Sequence, residues 1–347
     1  MEALAGRATI EDVAARAGVS ISTVSRVVNA RYGVASATVT RVQAAIEELG
    51  YETSLIARSL RRGRTNVIGV LVADIEPFSA EVLKGIAAAL RKTEYELIVY
   101  SGGHHHDDGW EQLYLSRLAG TLTDGAILLT PTVVDVTTSQ PVIAVDPHLD
   151  GSRLPIVDTE NLEGAITATR YLVELGHRRI GFIGGRPDLE SARRREQGYR
   201  TALEDAGIVV DSSLITSGDF TAAAAEGPAH QLLSRPDRPT AIFAANDLTA
   251  IQTMRIAADL GIEVPRDVSI IGFDNIPESA LTDPPLTTID QSLHAVGEAA
   301  VRALIERIEH PERSDSSAGE PMHITLPTSL VVRQSCAAPS GATTTTG

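Results

Sequence analysis

From residue 66 onward the chain alternates short apolar runs with helical patterns, and it does so in two series. NVIGVLVAD, YELIVYSGG, DGAILLTP and PVIAVD form the first; HRRIGFIGG, TAIFAAND and DVSIIGFDN form the second. Nearly continuous apolar runs bounded by turn residues are the mark of strands buried on both faces. The intervening segments, such as ESARRREQGYRTALEDAG, carry helical patterning and supply the cover. Strands alternating with helices demand parallel sheets with helices on each side. The pattern therefore predicts an α/β chain with two doubly wound, Rossmann-like subdomains of similar build. The pair Gly184-Gly185 follows a strand without a G-x-G-x-x-G context, so it reads as a plain strand-to-helix turn.

With 347 residues, 43% of them hydrophobic, the chain is long enough for two or three domains. Its one cysteine, Cys336, excludes an internal disulfide and suits a reducing compartment. The first twenty residues lack an apolar signal region, and no stretch of eighteen apolar residues occurs. A cytoplasmic protein with no membrane partner is expected. The run HHHDD at 104–108 looks like a metal site, but successive residues cannot all face one ion, so it reads as a surface loop. No nucleophile elbow, P-loop or metal triad is present, so neither an enzyme nor a resident cofactor or metal is expected.

Charge divides the chain unevenly. The formal net charge is −15, yet residues 1–64 hold nine Arg and no Lys against six Asp and Glu. Four of those arginines fall in ARSLRRGRT, residues 57 to 65. A small polyanion-binding head on an acidic body fits this asymmetry. The head itself reads as three helices. Thr9 caps the first, with Asp12 at its third position, and Gly18 ends it in a left-handed turn. Ser20 caps the second, which turns Val24, Val27 and Val28 inward and presents Ile21, Ser22, Ser25, Arg26 and Asn29. SATVTRVQAAIEELG carries the third, with Val39, Val42, Ile46 and Leu49 inward and Gly50 as its stop. Helix, glycine turn, helix is the helix-turn-helix pattern, whose second helix enters the major groove of DNA. Hydroxyls at Ser22, Thr23 and Ser25 suit phosphates, and Arg26 can reach a guanine edge with two hydrogen bonds.

TIEDVAARAGVSISTVSRVVN resembles the DNA-binding head of the LacI/GalR family of bacterial transcriptional regulators. The resemblance implies that Ile21, Ser22 and Arg26 read base edges, within a DNA-facing set that also holds Thr9, Ser20, Thr23, Ser25 and Asn29. ETSLIARSLRRGRT resembles the family's hinge helix, with Ala57 and Leu60 at its spacing and Arg58 beside them. Leu60 would then act as an apolar wedge in the minor groove, and the arginines would lie along the phosphates of the kinked duplex. An isolated segment this short is expected to order only on DNA.

The likeness continues through the body, in ELGHRRIGFIGG, AIFAANDLTAIQTMRIAADLGIEVPRDVSIIGFDN and PPLTTIDQ. It implies a core like that of periplasmic sugar-binding proteins: two subdomains, three crossovers and a ligand in the cleft. Ligands of open α/β sheets bind beyond the carboxyl ends of the strands. There stand Asp74, Asp146, Asn246 and Asp274, with Phe78 or Phe220 as an aromatic wall. Carried over by the resemblance, the effector contacts are Asp74, Phe78, Asp146, Arg193, Phe220, Asn246, Asp274 and Gln291. The expected domains are a head over 1–52, a hinge and linker over 53–65, a core over 66–335 and a disordered tail over 336–347. Within the core, the first subdomain covers about 66–156 and 288–320, the second about 157–287 and 321–335.

The expected function is that of a repressor, homodimeric on double-stranded, palindromic operator DNA. A small molecule in the cleft, a sugar or sugar derivative, sets the angle between subdomains and so controls the hinge. The alternatives are a regulator answering to a purine, a nucleoside or a protein corepressor, and a solute-binding protein without DNA function.

Overall fold

The computed structural model describes residues 8–28, 33–49, 64–102, 109–119, 122–149, 151–311 and 321–340. The chain divides into two units, Met1–Thr65 and Asn66–Gly347. Asn29, the hinge segment with Ala57, Arg58 and Leu60, and the HHHDD run lie outside the described residues.

In the head, α1 spans Ile10–Ala17, α2 Ile21–Val28 and α3 Ser36–Leu49. A reciprocal capping box starts α1: the Thr9 amide donates to Asp12 Oδ2 at 2.8 Å, and the Asp12 amide donates to Thr9 Oγ1 at 3.3 Å. Gly18, at φ 64°, ends it by donating its N–H back to Ala14 and Ala15. Val13, Ala14 and Ala17 meet Val24, Val42 and Ala45 in a small core. Three short helices bury little apolar surface, so small side chains that let them approach closely carry most of the packing.

The body contains two six-stranded sheets. The first subdomain opens with β1 (Val67–Val72), α4 (Pro77–Leu90), β2 (Glu96–Ser101), α5 (Trp110–Leu118), β3 (Gly125–Leu129), β4 (Val142–Val145) and β5 (Ile156–Thr159). The second follows with α6 (Asn161–Glu174), β6 (Ile180–Gly184), α7 (Glu190–Asp205), β7 (Ile215–Ser217), α8 (Ala222–Leu233), β8 (Ala241–Ala244), α9 (Asp247–Asp259), β9 (Ser269–Asp274) and β10 (Thr287–Asp290). The chain then returns through α10 (Leu293–Glu309) and β11 (His323–Leu326) and ends with β12 (Ser329–Val331). Strand order is β11-β5-β4-β3-β1-β2 in one sheet and β12-β10-β9-β8-β6-β7 in the other. Pairing is parallel throughout except between β10 and β12.

The chain crosses between subdomains three times, near residues 160, 291 and 327. These points correct the expected boundaries at 157, 288 and 321. β5 and β11 belong to the first sheet and β10 to the second. Their sequences, IVDT, HITL and TTID, are short and partly polar, so only hydrogen-bond register assigns them. The expected disorder of the tail is corrected for residues 336–340, while 341–347 lie outside the described residues. Residues 336–340 run along the second subdomain, where His177 Nε2 pairs with the Ala337 carbonyl at 3.0 Å and the Ser340 hydroxyl donates to Arg266 O at 2.8 Å. A small, polar composition carries no sign of such backbone partners.

Aromatic rings fill the second subdomain: Phe182 stacks on Tyr199 at 5.1 Å and meets Phe243 at 5.3 Å, while the Tyr199 hydroxyl donates to Ile180 O. In the first subdomain α4 and α10 cross almost backbone to backbone. A Cβ on Gly85 would lie 2.2 Å from His294 O, and one on Gly297 would lie 2.3 Å from Val82 O. Backbone cannot yield as a side chain does, so Gly85→Ala and Gly297→Ala should each destabilise the body by about 1–3 kcal/mol. Urea unfolding followed through Trp110 checks this; an unchanged midpoint for both would refute the contact.

Candidate functional site

The outer face of α2 is built by what its inner face buries. Val24 is fully buried, which turns Ile21, Ser22 and Arg26 outward and leaves Thr23 and Ser25 half-buried. Ile21 is 48% exposed, an apolar side chain offered to solvent at the start of the helix. Ser20 Oγ is the hub of a hydroxyl cluster, 2.8 Å from Ser22 Oγ and 2.9 Å from Thr23 Oγ1, and it accepts from the Thr23 amide at 3.2 Å. Thr9 Oγ1 is engaged with Asp12, donating to its carboxylate at 2.7 Å. A short hydroxyl face flanked by an arginine can meet phosphates and a base edge. Across the head, the exposed Arg16–Glu48 pair at 2.6 Å ties α1 to α3.

In the body, the carboxyl ends of the strands converge on a cavity of about 290 Å³ between the two sheets. Asp74 follows β1, Thr130 follows β3 and Asp146 follows β4; from the other side come Asn246 after β8 and Asp274 at the end of β9. Phe78, Leu189, Phe220, Leu248 and Ile276 supply apolar wall. Thr130, Asp146, Asp219, Phe220 and Asp274 all have positive φ, from 47° to 115°. Such backbone costs about 1–3 kcal/mol per residue and persists where surrounding structure imposes it, commonly at ligand sites.

Arg195, on α7, is the central charge. Only 3% exposed, it donates from Nε to Asn161 Oδ1 at 2.8 Å and from Nη1 to Ala245 O at 2.6 Å, with Asp274 Oδ1 at 3.4 Å. Its guanidinium carbon lies 3.9 Å from the Phe273 ring centre and 5.4 Å from that of Phe220. Burial pushes the Asp274 carboxyl up to about 7 and that of Asp146 up to about 6, while the Arg195 charge pulls both down. Glu76 is raised too, by burial and by Asp74 beside it. Burial and the Arg186 charge drop His148 to about 4, so its imidazole is neutral at physiological pH. Asn246 caps α9 by accepting from the Thr249 amide and donates to Phe220 O at 2.8 Å, which fixes the aromatic wall.

Asp74, Phe78, Asp146, Phe220, Asn246 and Asp274 thus share one cavity, as the sequence reading expects. Two residues stand elsewhere. Arg193 is on the exposed side of α7, bonded to Glu190 and to Asp188 O, and Arg195 occupies the place in the cleft assigned to it. Helical periodicity carries the signal for this correction: Arg195 shares the buried stripe of α7 with Ala192, Tyr199 and Ala202, and Arg193 does not. Gln291, 1% exposed, lies behind Asp274 and donates to it at 2.6 Å instead of facing the cavity. Thr130, His148, Arg186 and Asp219 also line the cavity, and no motif announces them. Among the described residues no group of His, Cys, Asp and Glu is placed to hold a metal ion, and no helix is long and apolar enough to cross a membrane.

The raised Asp274 carboxyl has a measurable consequence. A folded-state pKa above the unfolded value adds stability at low pH that is lost as pH climbs through the folded pKa. Relative to Asp274→Asn, the wild-type body should therefore lose stability between about pH 4 and pH 7. Melting curves of both proteins across that range check it; parallel curves would show an unshifted carboxyl.

Two domain families match the chain: residues 9–54 match bacterial regulatory proteins of the lacI family, and residues 169–336 match the periplasmic binding protein-like domain. The HTH-type transcriptional repressor PurR of Aliivibrio salmonicida (strain LFI1238) is 37% identical over 321 residues, 88% of this chain and 94% of the relative. The HTH-type transcriptional repressor CytR of Escherichia coli (strain K12) is 35% identical over 309 residues, 87% of this chain and 90% of the relative. A crystal structure of the lac repressor dimer bound to operator and the anti-inducer ONPF superposes with a TM-score of 0.82 at 28% identity, over 95% of this chain and 99% of that one. With a helix-turn-helix head, two parallel-sheet subdomains and this likeness over most of its length, the chain belongs to the LacI family of bacterial regulatory proteins and is a DNA-binding transcriptional repressor, not an enzyme.

Proposed function

We propose that this repressor grips a palindromic operator as a homodimer and answers to an uncharged, hydroxyl-rich effector, a sugar or sugar derivative, held in the cleft of its body. The observation that carries the effector class is the convergence of Asp146, Arg195, Asn246 and Asp274 beside Phe220. Carboxylates and an amide accept from hydroxyls, a guanidinium donates a fork to them, and an aromatic face covers the apolar side of a sugar ring. The lining sets Asp74, Glu76, Asp146, Asp219 and Asp274 against Arg186, Arg195 and a neutral His148, so an anionic ligand meets net repulsion. A cavity of about 290 Å³ stands at the small end of ligand sites, sized for one or two rings.

A nucleoside is the second reading. Phe78 and Phe220 both line the cavity, so a flat base has aromatic surface available while its ribose meets the carboxylates. Calorimetric titration of the whole protein with neutral sugars, nucleosides and their phosphates decides. A neutral sugar should bind, and its phosphate should bind on the order of tenfold weaker or worse. Binding by nucleosides alone selects the second reading; binding by none removes the cleft as an effector site.

A second copy of the chain has a surface to use. Leu281, 83% exposed beside Ala258, is an apolar anchor rimmed by Arg255, Glu278 and Asp283. A two-fold dimer suits two half-sites, and the lac repressor neighbour is a dimer on its operator. In the head, Ile21, Ser22 and Arg26 take the base-reading role, with the hydroxyls of Ser20, Thr23 and Ser25 toward phosphates and Thr9 setting the first helix. Leu60 of the hinge wedges the minor groove with Ala57 beside it, Arg58 lies along the phosphates, and Asn29 joins the DNA-facing set. Arg26→Ala should cost about 1–3 kcal/mol on the best operator and relax preference at one base pair. Affinities for singly substituted operators, chosen from a random library, check this; equal loss on every sequence would take base reading from Arg26.

A further inference from the structure

Five side chains and the Thr159 carbonyl close a ring beneath the cleft floor. Gln291 Nε2 donates to Asp274 Oδ1 at 2.6 Å, and Gln291 Oε1 accepts a short bond from Thr159 Oγ1. On the other arm, Arg195 Nη1 lies 3.4 Å from the same Asp274 oxygen, and Arg195 Nε donates to Asn161 Oδ1 at 2.8 Å. Asn161 Nδ2 then closes the circuit on Thr159 O at 3.3 Å. Thr159, Asn161, Arg195, Asp274 and Gln291 are each 8% exposed or less.

The position of this ring gives it significance. Thr159 is the last residue of β5 in the first sheet, and Asn161 opens α6 of the second subdomain, so the pair brackets the first crossover. Gln291 is the second crossover itself, between β10 and α10. The Glu160 amide donates to Leu326 O at 3.0 Å, which joins the third crossover to the first. Both ring bonds to Asp274 end on Oδ1. Asp274 also holds φ at 115°, a backbone that needs outside support.

We infer that Thr159 and Gln291 are positioning residues that hold Asp274 and Arg195 in register with the crossovers, so that the ring links the state of the cleft carboxylate to the hinge between subdomains. This rests on the cleft reading for its biological use, although the link itself exists without ligand. A ligand that bonds Asp274 better in one hinge geometry shifts the hinge toward it, and the hinge biases the ligand by the same free energy. Buried side-chain rings polarise and order one another, so removing one member loosens the rest.

The test is hydrogen exchange on the ligand-free, full-length protein, read by mass spectrometry over 156–164, 272–276 and 287–293. Thr159→Val should raise exchange about tenfold in all three segments and leave β3 and β8 at wild-type rates, the scale of one lost buried hydrogen bond. Thr159→Ser, which keeps the hydroxyl, should restore wild-type exchange. Asp274→Ala should speed exchange in 156–164, which it does not touch. An effect of Asp274→Ala confined to 272–276, or a Thr159→Ser protein as loose as Thr159→Val, overturns the inference. Should Thr159→Val fail to fold, Gln291→Met carries the same comparison. None of these outcomes depends on the effector titration, so failure of the cleft reading and failure of the ring are seen separately.

Discussion

A guanidinium with almost no access to water has to be surrounded by partners, and the second subdomain is arranged around that requirement. Burying a cation costs several kcal/mol unless hydrogen bonds and an opposite charge offset it. Arg195 finds an amide oxygen at the start of α6, a carbonyl at the end of β8, a carboxylate at the end of β9 and the face of Phe273. These belong to different elements, so the charge is tolerated only when the elements meet at one place. A lysine lacks the planar fork that reaches such divergent partners. The same residues then hold Asp274 and shape the floor of the cleft.

Close backbone packing delivers Arg195 to that place. Gly198, less than one turn further along α7, faces α6, and a Cβ there would lie 2.5 Å from Leu162 O. Its absence lets α7 settle against α6 and carries Arg195 inward. The first subdomain uses the same device where Gly85 and Gly297 let α4 and α10 touch. Three crossovers join the two subdomains, and buried polar side chains, Thr159, Asn161 and Gln291, stand at the first two of them.

The strongest signals in the amino-acid order were local ones. The capping box at Thr9 and Asp12, the left-handed Gly18 and the apolar stripe through Val24 act within a few residues, so periodicity and cap chemistry expose them. The apolar strands β1, β3, β4, β6, β8 and β9 are legible for the same reason, being buried on both faces. Strands β5, β7, β10, β11 and β12 are not. They are three or four residues long and mix polar with apolar side chains, and they exist because a neighbouring strand offers hydrogen bonds.

The order of residues by itself determined the class of the protein: a helix-turn-helix head, two wound α/β subdomains, and acids and amides at strand ends. Each of these follows from patterns of burial and capping that repeat along the chain. Helical periodicity already favours Arg195 among the three consecutive arginines, whereas tertiary structure alone decided that Gln291 stands behind Asp274 and where the chain crosses between subdomains. Those outcomes depend on distances between residues 17 to 132 positions apart, such as the bonds from Gln291 to Asp274 and Thr159. A local pattern cannot encode a contact whose partner is chosen by the packing of other elements.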